Sequence, residues 1–234
     1  MRSDVRHQLK TDRFAEATTE TVHWAVEHRS RLILYGSLAI AVVALVITFF
    51  AVRRSQEQQA NIALANAFET YQAPVVPAGT PPQPGLTMFN SAKERAKAAN
   101  EEFRKVADKY STQSGKLARY MEGVTYGEMG DAANAEKELK DVIGSGGDLG
   151  NLARFALASV YRQNNREQDA IALYNEISAH PSVSVGKPMA DMELASLYAA
   201  KQPDKAKVLL QQLAKDNANN SIGQIASERL AGLK

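Results

Sequence analysis

Residues 117–142 read LARYMEGVTYGEMGDAANAEKELKDV, and residues 152–177 read LARFALASVYRQNNREQDAIALYNEI. Aligned at an offset of 35 residues, both stretches open on leucine, alanine, arginine and an aromatic residue. Each then carries a tyrosine, Tyr126 or Tyr161, and later an alanine, Ala135 or Ala170. The alanine begins a pattern that recurs four times: alanine, a large apolar residue four positions on, and a branched aliphatic three positions further. It appears as Ala99/Phe103/Val106, Ala135/Leu139/Val142, Ala170/Tyr174/Ile177 and Ala206/Leu210/Leu213. The alanines are 36, 35 and 36 residues apart, and self-similarity at such a period is the signature of a stacked repeat architecture.

The spacing has a physical reading. Steps of three and four residues place side chains on one face of an α-helix. Three residues before Tyr126, Tyr161 and Tyr198 stand the small residues Gly123, Ala158 and Ala195. A small residue on one helix and an alanine on the next mark where two antiparallel backbones approach closely, with the tyrosine and the large apolar residue filling the space beside them. One such hairpin cannot bury its apolar face alone, so the hairpins stack. Turn signals separate the two helices of a unit at Gly130-Asp131, Asn164-Asn165 and Gln202-Pro203-Asp204. Others separate the units at Gly144–Gly150, His180-Pro181 and Gly186–Pro188. The first unit is split. Residues 56–72 read as its first helix, with Ala65 and Phe68 at the small and aromatic positions. The proline-rich stretch 73–86 then intervenes before a second helix near residues 88–110. Five of the chain's eight prolines fall in that stretch, which predicts an extended loop. Residues 221–233 read as a terminal capping helix.

This pattern resembles the tetratricopeptide repeat, with a small residue and tyrosine on the first helix, and alanine then a large apolar residue on the second. It departs from that rule where a tryptophan is expected near the start of the first helix, since Arg119, Arg154 and Asp191 stand there.

Ahead of the repeats, residues 32–52 read LILYGSLAIAVVALVITFFAV, 21 residues without a charge. At about 1.5 Å per residue they span roughly 30 Å, the thickness of a bilayer's hydrocarbon core. Arg29 and Arg31 close one end and Arg53 and Arg54 the other, with Tyr35, Phe49 and Phe50 near the ends and Trp24 further out. The run begins too deep in the chain, and lacks the cleavage signal, for a removed leader. Six Lys/Arg precede the run and two follow it closely, which predicts a cytoplasmic N-terminus and an extracytoplasmic repeat domain. Residues 4–28 read as helical, either a docking or surface-lying arm or a charged extension of the anchor. Gly36, Ser37, Ala41, Ala44 and Thr48 place small residues along the span, as at helix–helix contacts.

Charge and composition exclude several function classes. Residues 1–54 carry 8 Lys/Arg against 5 Asp/Glu, and residues 55–234 carry 20 against 21. A near-neutral repeat domain lacks the basic footprint that nucleic acid requires. There is no cysteine, hence no disulfide, thiolate metal site or thiol nucleophile. The four histidines do not fall at metal-ligand spacing, and the glycines of 144–150 follow a helix where a dinucleotide fingerprint needs a strand. The carboxylates read as scattered over solvated helix faces. No cofactor and no catalytic activity are expected.

The layout as a whole, a tail, one span and about 180 residues of degenerate repeats, resembles the YfgM-like ancillary subunits of the bacterial Sec translocon. The resemblance implies repeats in the periplasm that bind translocon subunits, envelope chaperones or emerging polypeptides. The resemblance to the tetratricopeptide stack implies a concave groove lined by the first helices, which, counted from each tyrosine, falls at Leu117, Tyr120, Val124 and Glu128, then Leu152, Phe155, Ser159 and Arg162, then Met189, Met192 and Ser196. Tyr120, Phe155, Arg162 and Met192, with Arg119 and Arg154, are the expected partner-binding residues.

The expectation is therefore an all-α chain: a cytoplasmic tail over 1–30, a transmembrane helix over 31–53, and an α-solenoid of degenerate tetratricopeptide-like hairpins over 54–234. Its expected function is a membrane-tethered, non-catalytic adaptor in the bacterial inner membrane. The alternative is a structural envelope component that assembles with itself.

Overall fold

The computed structural model describes residues 24, 26–81 and 83–233. Nine α-helices make up the described residues: α1 Arg29–Gln72, α2 Ala92–Lys109, α3 Gln113–Met129, α4 Ala132–Gly144, α5 Gly147–Gln163, α6 Glu167–Ala179, α7 Lys187–Ala199, α8 Pro203–Asp216 and α9 Ser221–Gly232. No strand occurs among these residues. The chain divides into two compact units, residues 1–55 and residues 56–234.

In the first unit, α1 is the one described helix long and apolar enough to cross a membrane, and none of its most apolar stretch is buried. Ile33, Leu34, Tyr35 and Val43, which point to four different sides of the helix, are all more than half exposed. The helix expected over 4–28 lies, but for its last few residues, outside the described residues.

The second unit is a stack of helical hairpins. Its first hairpin pairs the end of α1 with α2, and α3/α4, α5/α6 and α7/α8 follow, with α9 covering the last pair. Local chemistry sets six of the helix starts. The Ser91 hydroxyl accepts from the Glu94 amide, and the Glu94 carboxylate accepts in return from the Asn90 amide, a variant of the capping box. Thr112 caps α3, Asp131 caps α4 and Asn220 caps α9 in the same way, while α7 and α8 open on a proline in the first turn. Gly130 ends α3 at φ 80°, the left-handed geometry glycine adopts without a Cβ penalty.

All twelve residues of the fourfold pattern are buried, none more than 4% exposed. Where hairpin backbones meet, space is minimal: a Cβ on Gly123 of α3 would lie 2.7 Å from Leu139 Cγ of α4. One core cluster joins the end of α1 to α2 and α3 around Phe103. A second joins α4 to α7 around Tyr174 and Leu157, and a third seals α7, α8 and α9 around Leu210.

Three sequence expectations need correction. Ala65 is exposed, because the buried face of α1 runs through Ala60, Leu64 and Ala67, one position out of phase. Phe68, by contrast, does meet the core as expected, packing edge-on against Phe103 at 5.2 Å. The proline-rich stretch is not simply extended. It turns at Gly79 and Gly85, both with positive φ, and its ends close where Val76 N–H donates to Phe89 O (2.8 Å) and Phe89 N–H to Pro74 O (3.0 Å). Finally, the glycine run at 144–150 is mostly helix: only Ser145 and Gly146 separate α4 from α5, with Gly146 and Gly147 at φ 69° and 67°.

Candidate partner-binding face

The first helices of successive hairpins are α1, α3, α5 and α7, and polar links tie neighbours together along one face. Tyr71 of α1 donates its hydroxyl to Glu128 of α3 (2.5 Å). Arg162 of α5 pairs with Glu193 of α7 (2.6 Å), and Arg229 of α9 donates to the Ser196 hydroxyl of α7 (2.7 Å). Burial pushes the Tyr71 phenol up to about 12, and its hydrogen bond to Glu128 pushes the same way.

Between those links lie the side chains marked by the sequence. Tyr120 is half-buried and packs against both the first and the second core clusters, with its phenol raised by burial. Phe155 stands edge-on to the buried Tyr174 at 5.5 Å, with its outer side uncovered. Met192 packs partly against the third cluster, and Met189 is 48% exposed. Leu117, Val124, Leu152 and Ser159 are likewise partly exposed. The result is a ladder of aromatic, aliphatic and thioether side chains, each anchored at its base and open at its tip, with Arg162 at its edge. Anchored aromatics and methionines present large area at small entropic cost, which suits a protein contact.

Arg119 and Arg154 sit apart from that ladder. The Arg119 guanidinium reaches Glu138 (2.7 Å) and Asp141 (3.3 Å) on α4, and Asp108 (3.3 Å) on α2. Arg154 bridges to Glu176 on α6 (3.2 Å) and to Asn151 (3.0 Å), whose amide in turn donates to His180 O (2.9 Å). At the position of the repeat's usual tryptophan, each arginine thus ties its helix to neighbours by charge.

Not every carboxylate lies on a solvated face. Glu122, Glu138 and Asp191 are buried, at 3%, 5% and 6% exposure. Glu122 Oε2 has no hydrogen-bond partner among the described residues, and burial, then the nearby Glu138, pushes its carboxyl up to about 7. Glu138 is pushed up by burial too, but hydrogen bonds from Lys137 and Arg119 outweigh that and hold it below the usual carboxylate range. These positions read as polar in sequence, yet each falls one turn from, or beside, a close-packed residue of the hairpin. Glu122 precedes Gly123, and Glu138 precedes Leu139. Tyr71 and Arg229, which extend the ladder's polar links to α1 and α9, also escape a sequence reading anchored on the three complete hairpins. No group of histidine and carboxylate side chains able to hold a metal ion occurs among the described residues.

A tetratricopeptide repeat-like domain family model matches residues 33–183. The chain belongs to that family. The matched region starts within the apolar stretch of α1 and runs through the first three hairpins of this tetratricopeptide-like protein, and such repeats generally mediate protein–protein interaction. A comparison with proteins of curated function finds no match. Among solved structures, the chain is similar to the nearly identical TPR-like repeats of a Podosopora anserina protein assigned as a kinesin light chain, and to a single-substitution variant of it. Both are 19% identical, with a TM-score of 0.49, over 77% of this chain and 84% of the other.

Proposed function

We propose that this tetratricopeptide-like protein is a membrane-tethered, non-catalytic adaptor that binds a protein partner across the face of its first helices. The ladder of Tyr120, Phe155 and Met192, based in the core and open at the tip, carries this reading. Residues 32–52 act as the anchor: their side chains are apolar on all sides and unburied, and charged residues bound them at both ends. The excess of Lys/Arg ahead of the span supports a cytoplasmic tail and repeats on the other side of the membrane. The layout's resemblance to the YfgM-like subunits makes the Sec translocon and envelope chaperones the first partners to test. Tethering raises the effective concentration of the repeats beside the membrane, so a modest groove affinity suffices.

The test has two arms. A photoreactive amino acid at Tyr120 or Phe155 of the membrane-bound chain is expected to crosslink a translocon or chaperone subunit. Copurification of that subunit should fall at least tenfold in the Tyr120→Ala/Phe155→Ala double variant, and unchanged copurification sinks the face assignment. Protease added to outer-membrane-permeabilised cells is expected to digest residues 55–234 and spare the first 30. Protection of the repeats until the inner membrane is broken reverses the orientation.

A further inference from the structure

Two seams between hairpins stand one repeat apart and are filled differently. Between the second and third hairpins, the Tyr161 ring lies 4.0 Å beneath the Arg166 guanidinium. The Glu136 carboxylate of α4 completes the site, accepting from Tyr161 Oη (2.8 Å), Arg166 (2.5 Å) and Lys140 (2.6 Å). Between the third and fourth hairpins a tyrosine–cation contact recurs with a cation from another repeat position: the ring of Tyr198, the repeat's equivalent tyrosine, lies 5.3 Å beneath Lys205 Nζ, while Gln202 stands where Arg166 stood. The carboxylate does not recur. Glu136 directly follows Ala135, and the residue that follows Ala170 is Ile171. Among the described residues, neither the Tyr198 hydroxyl nor Lys205 meets a carboxylate.

A cavity of about 440 Å³ opens at that seam, bounded by α6, α7 and α8. Its floor is apolar, with Leu194 buried and Leu209 half-buried, and Val208 stands 65% exposed at its rim. Two carboxylates also line it. Asp191 is already held by Lys187 (2.8 Å) and the Ser178 hydroxyl (2.6 Å), and Asp204 lies in the first turn of α8, where a helix start favours negative charge. Tyr198 and Lys205 remain as a donor and a cation facing an apolar cavity.

We propose that this seam is a second docking site, for a partner peptide that inserts a glutamate or aspartate flanked by apolar side chains. The partner's carboxylate takes the place that Glu136 holds one seam earlier, between the tyrosine hydroxyl and the lysine ammonium. Its apolar neighbours cover Leu194 and Val208. A charge-assisted pair in a partly desolvated cavity selects for the acid over its amide. The site lies between α6, α7 and α8 and shares no residue with the ladder of Tyr120, Phe155 and Met192, so the two surfaces can be occupied at once.

The probes are two fluorescein-labelled, N-acetylated, C-amidated leucine-containing heptapeptides that differ only in a central glutamate or glutamine. Each is titrated by anisotropy against the full chain in detergent, where partition into micelles is common to both. The glutamate peptide is expected to bind at least tenfold tighter. Ile171→Glu restores the chain's own carboxylate, and Lys205→Met removes the exposed cation without touching the core. Each is expected to abolish the difference between the peptides, whereas Arg162→Ala, on the ladder, leaves it intact. Should Ile171→Glu lower the melting temperature, Lys205→Met alone decides. Equal affinities, no binding of either peptide, or a difference that persists in the Lys205→Met chain overturns the proposal. Loss of the difference in Arg162→Ala as well overturns the independence of the two surfaces.

Discussion

Glu122→Gln should stabilise the repeat domain, and only above mildly acidic pH. Glu122 is 3% exposed, one of its oxygens lacks a partner, and its carboxyl is raised from an ordinary 4.5 to about 7. The groups that face it are Arg104 and Asp108 from α2, Glu138 from α4, and Arg119 on its own helix, and the two carboxylates reinforce what burial begins. A group whose folded pKa lies above its unfolded value binds its proton more tightly when folded. Stability therefore falls as pH rises from 4.5 through 7, and levels off above that. A shift of this size corresponds to about 3 kcal/mol at pH 8, the upper limit of what a neutral amide recovers. For a domain of this length that is a rise in melting temperature of about 6–12 °C. Thermal unfolding of the detergent-solubilised chain, followed by circular dichroism at pH 5 and pH 8, reads it directly. Expected are a clear rise for the variant at pH 8 and a much smaller one at pH 5. A destabilised variant at pH 8, or a gain of equal size at both values, refutes the assignment of a buried, proton-binding carboxylate.

Gly123→Ala forces a methyl to within 2.7 Å of Leu139 Cγ, and should cost about 1–3 kcal/mol in urea unfolding, with part of the loss recovered by a second change, Leu139→Val. Phe103→Ala removes a fully buried ring that Phe68 and Tyr71 meet edge-on, and should cost about 3–5 kcal/mol by the same measure. The Glu136 carboxyl is held down to about 2, first by its hydrogen bond from Lys140 and then by Tyr161 and Arg166. Its contribution is present above the ordinary 4.5 and lost as pH falls toward 2. Glu136→Gln should thus weaken the chain at pH 7 by about 1 kcal/mol, discounted for partial exposure, and have no effect near pH 2. An equal loss at both pH values would show that the amide disturbs packing rather than charge.

The sequence announced the parts of this protein that answer to helical periodicity. The twelve residues of the fourfold pattern could be read because burial at steps of three and four leaves one chemistry per position, alanine or large apolar, and all twelve are buried. The turn at Gly130-Asp131 was equally plain, since few other residue pairs supply a left-handed terminus followed by a cap. What hid were the positions where one residue type serves two environments. A glutamate on a helix reads as solvated whether it lies outside like Glu128 or inside like Glu122, and only the packing of Gly123 against Leu139 decides. Ala65 and Ala67 are the same residue two positions apart, and one register shift separated a correct face from an exposed one. The ladder of first-helix side chains was visible as spacing. Its polar links were not, because Tyr71–Glu128 and Arg162–Glu193 join residues 57 and 31 positions apart.

Degeneracy in this stack has a direction. A repeat protein that only needed to fold would fill each seam alike, since every hairpin faces the same neighbour geometry. Here the seams differ in kind. The second closes with charge, through Glu136, Arg166 and Lys140 around Tyr161. The third keeps a tyrosine and a cation but has Ile171 at the carboxylate's position, and a cavity opens beside the tyrosine. Arginine twice substitutes for the bulky aromatic that usually wedges the two helices of a hairpin, so Arg119 and Arg154 hold by ion pairs what packing would otherwise hold. Ion pairs at partly exposed positions contribute less than a buried aromatic and respond to salt and pH. The contact between the two helices of the second hairpin, and of the third, is consequently more sensitive to salt and pH than a packed aromatic would make it.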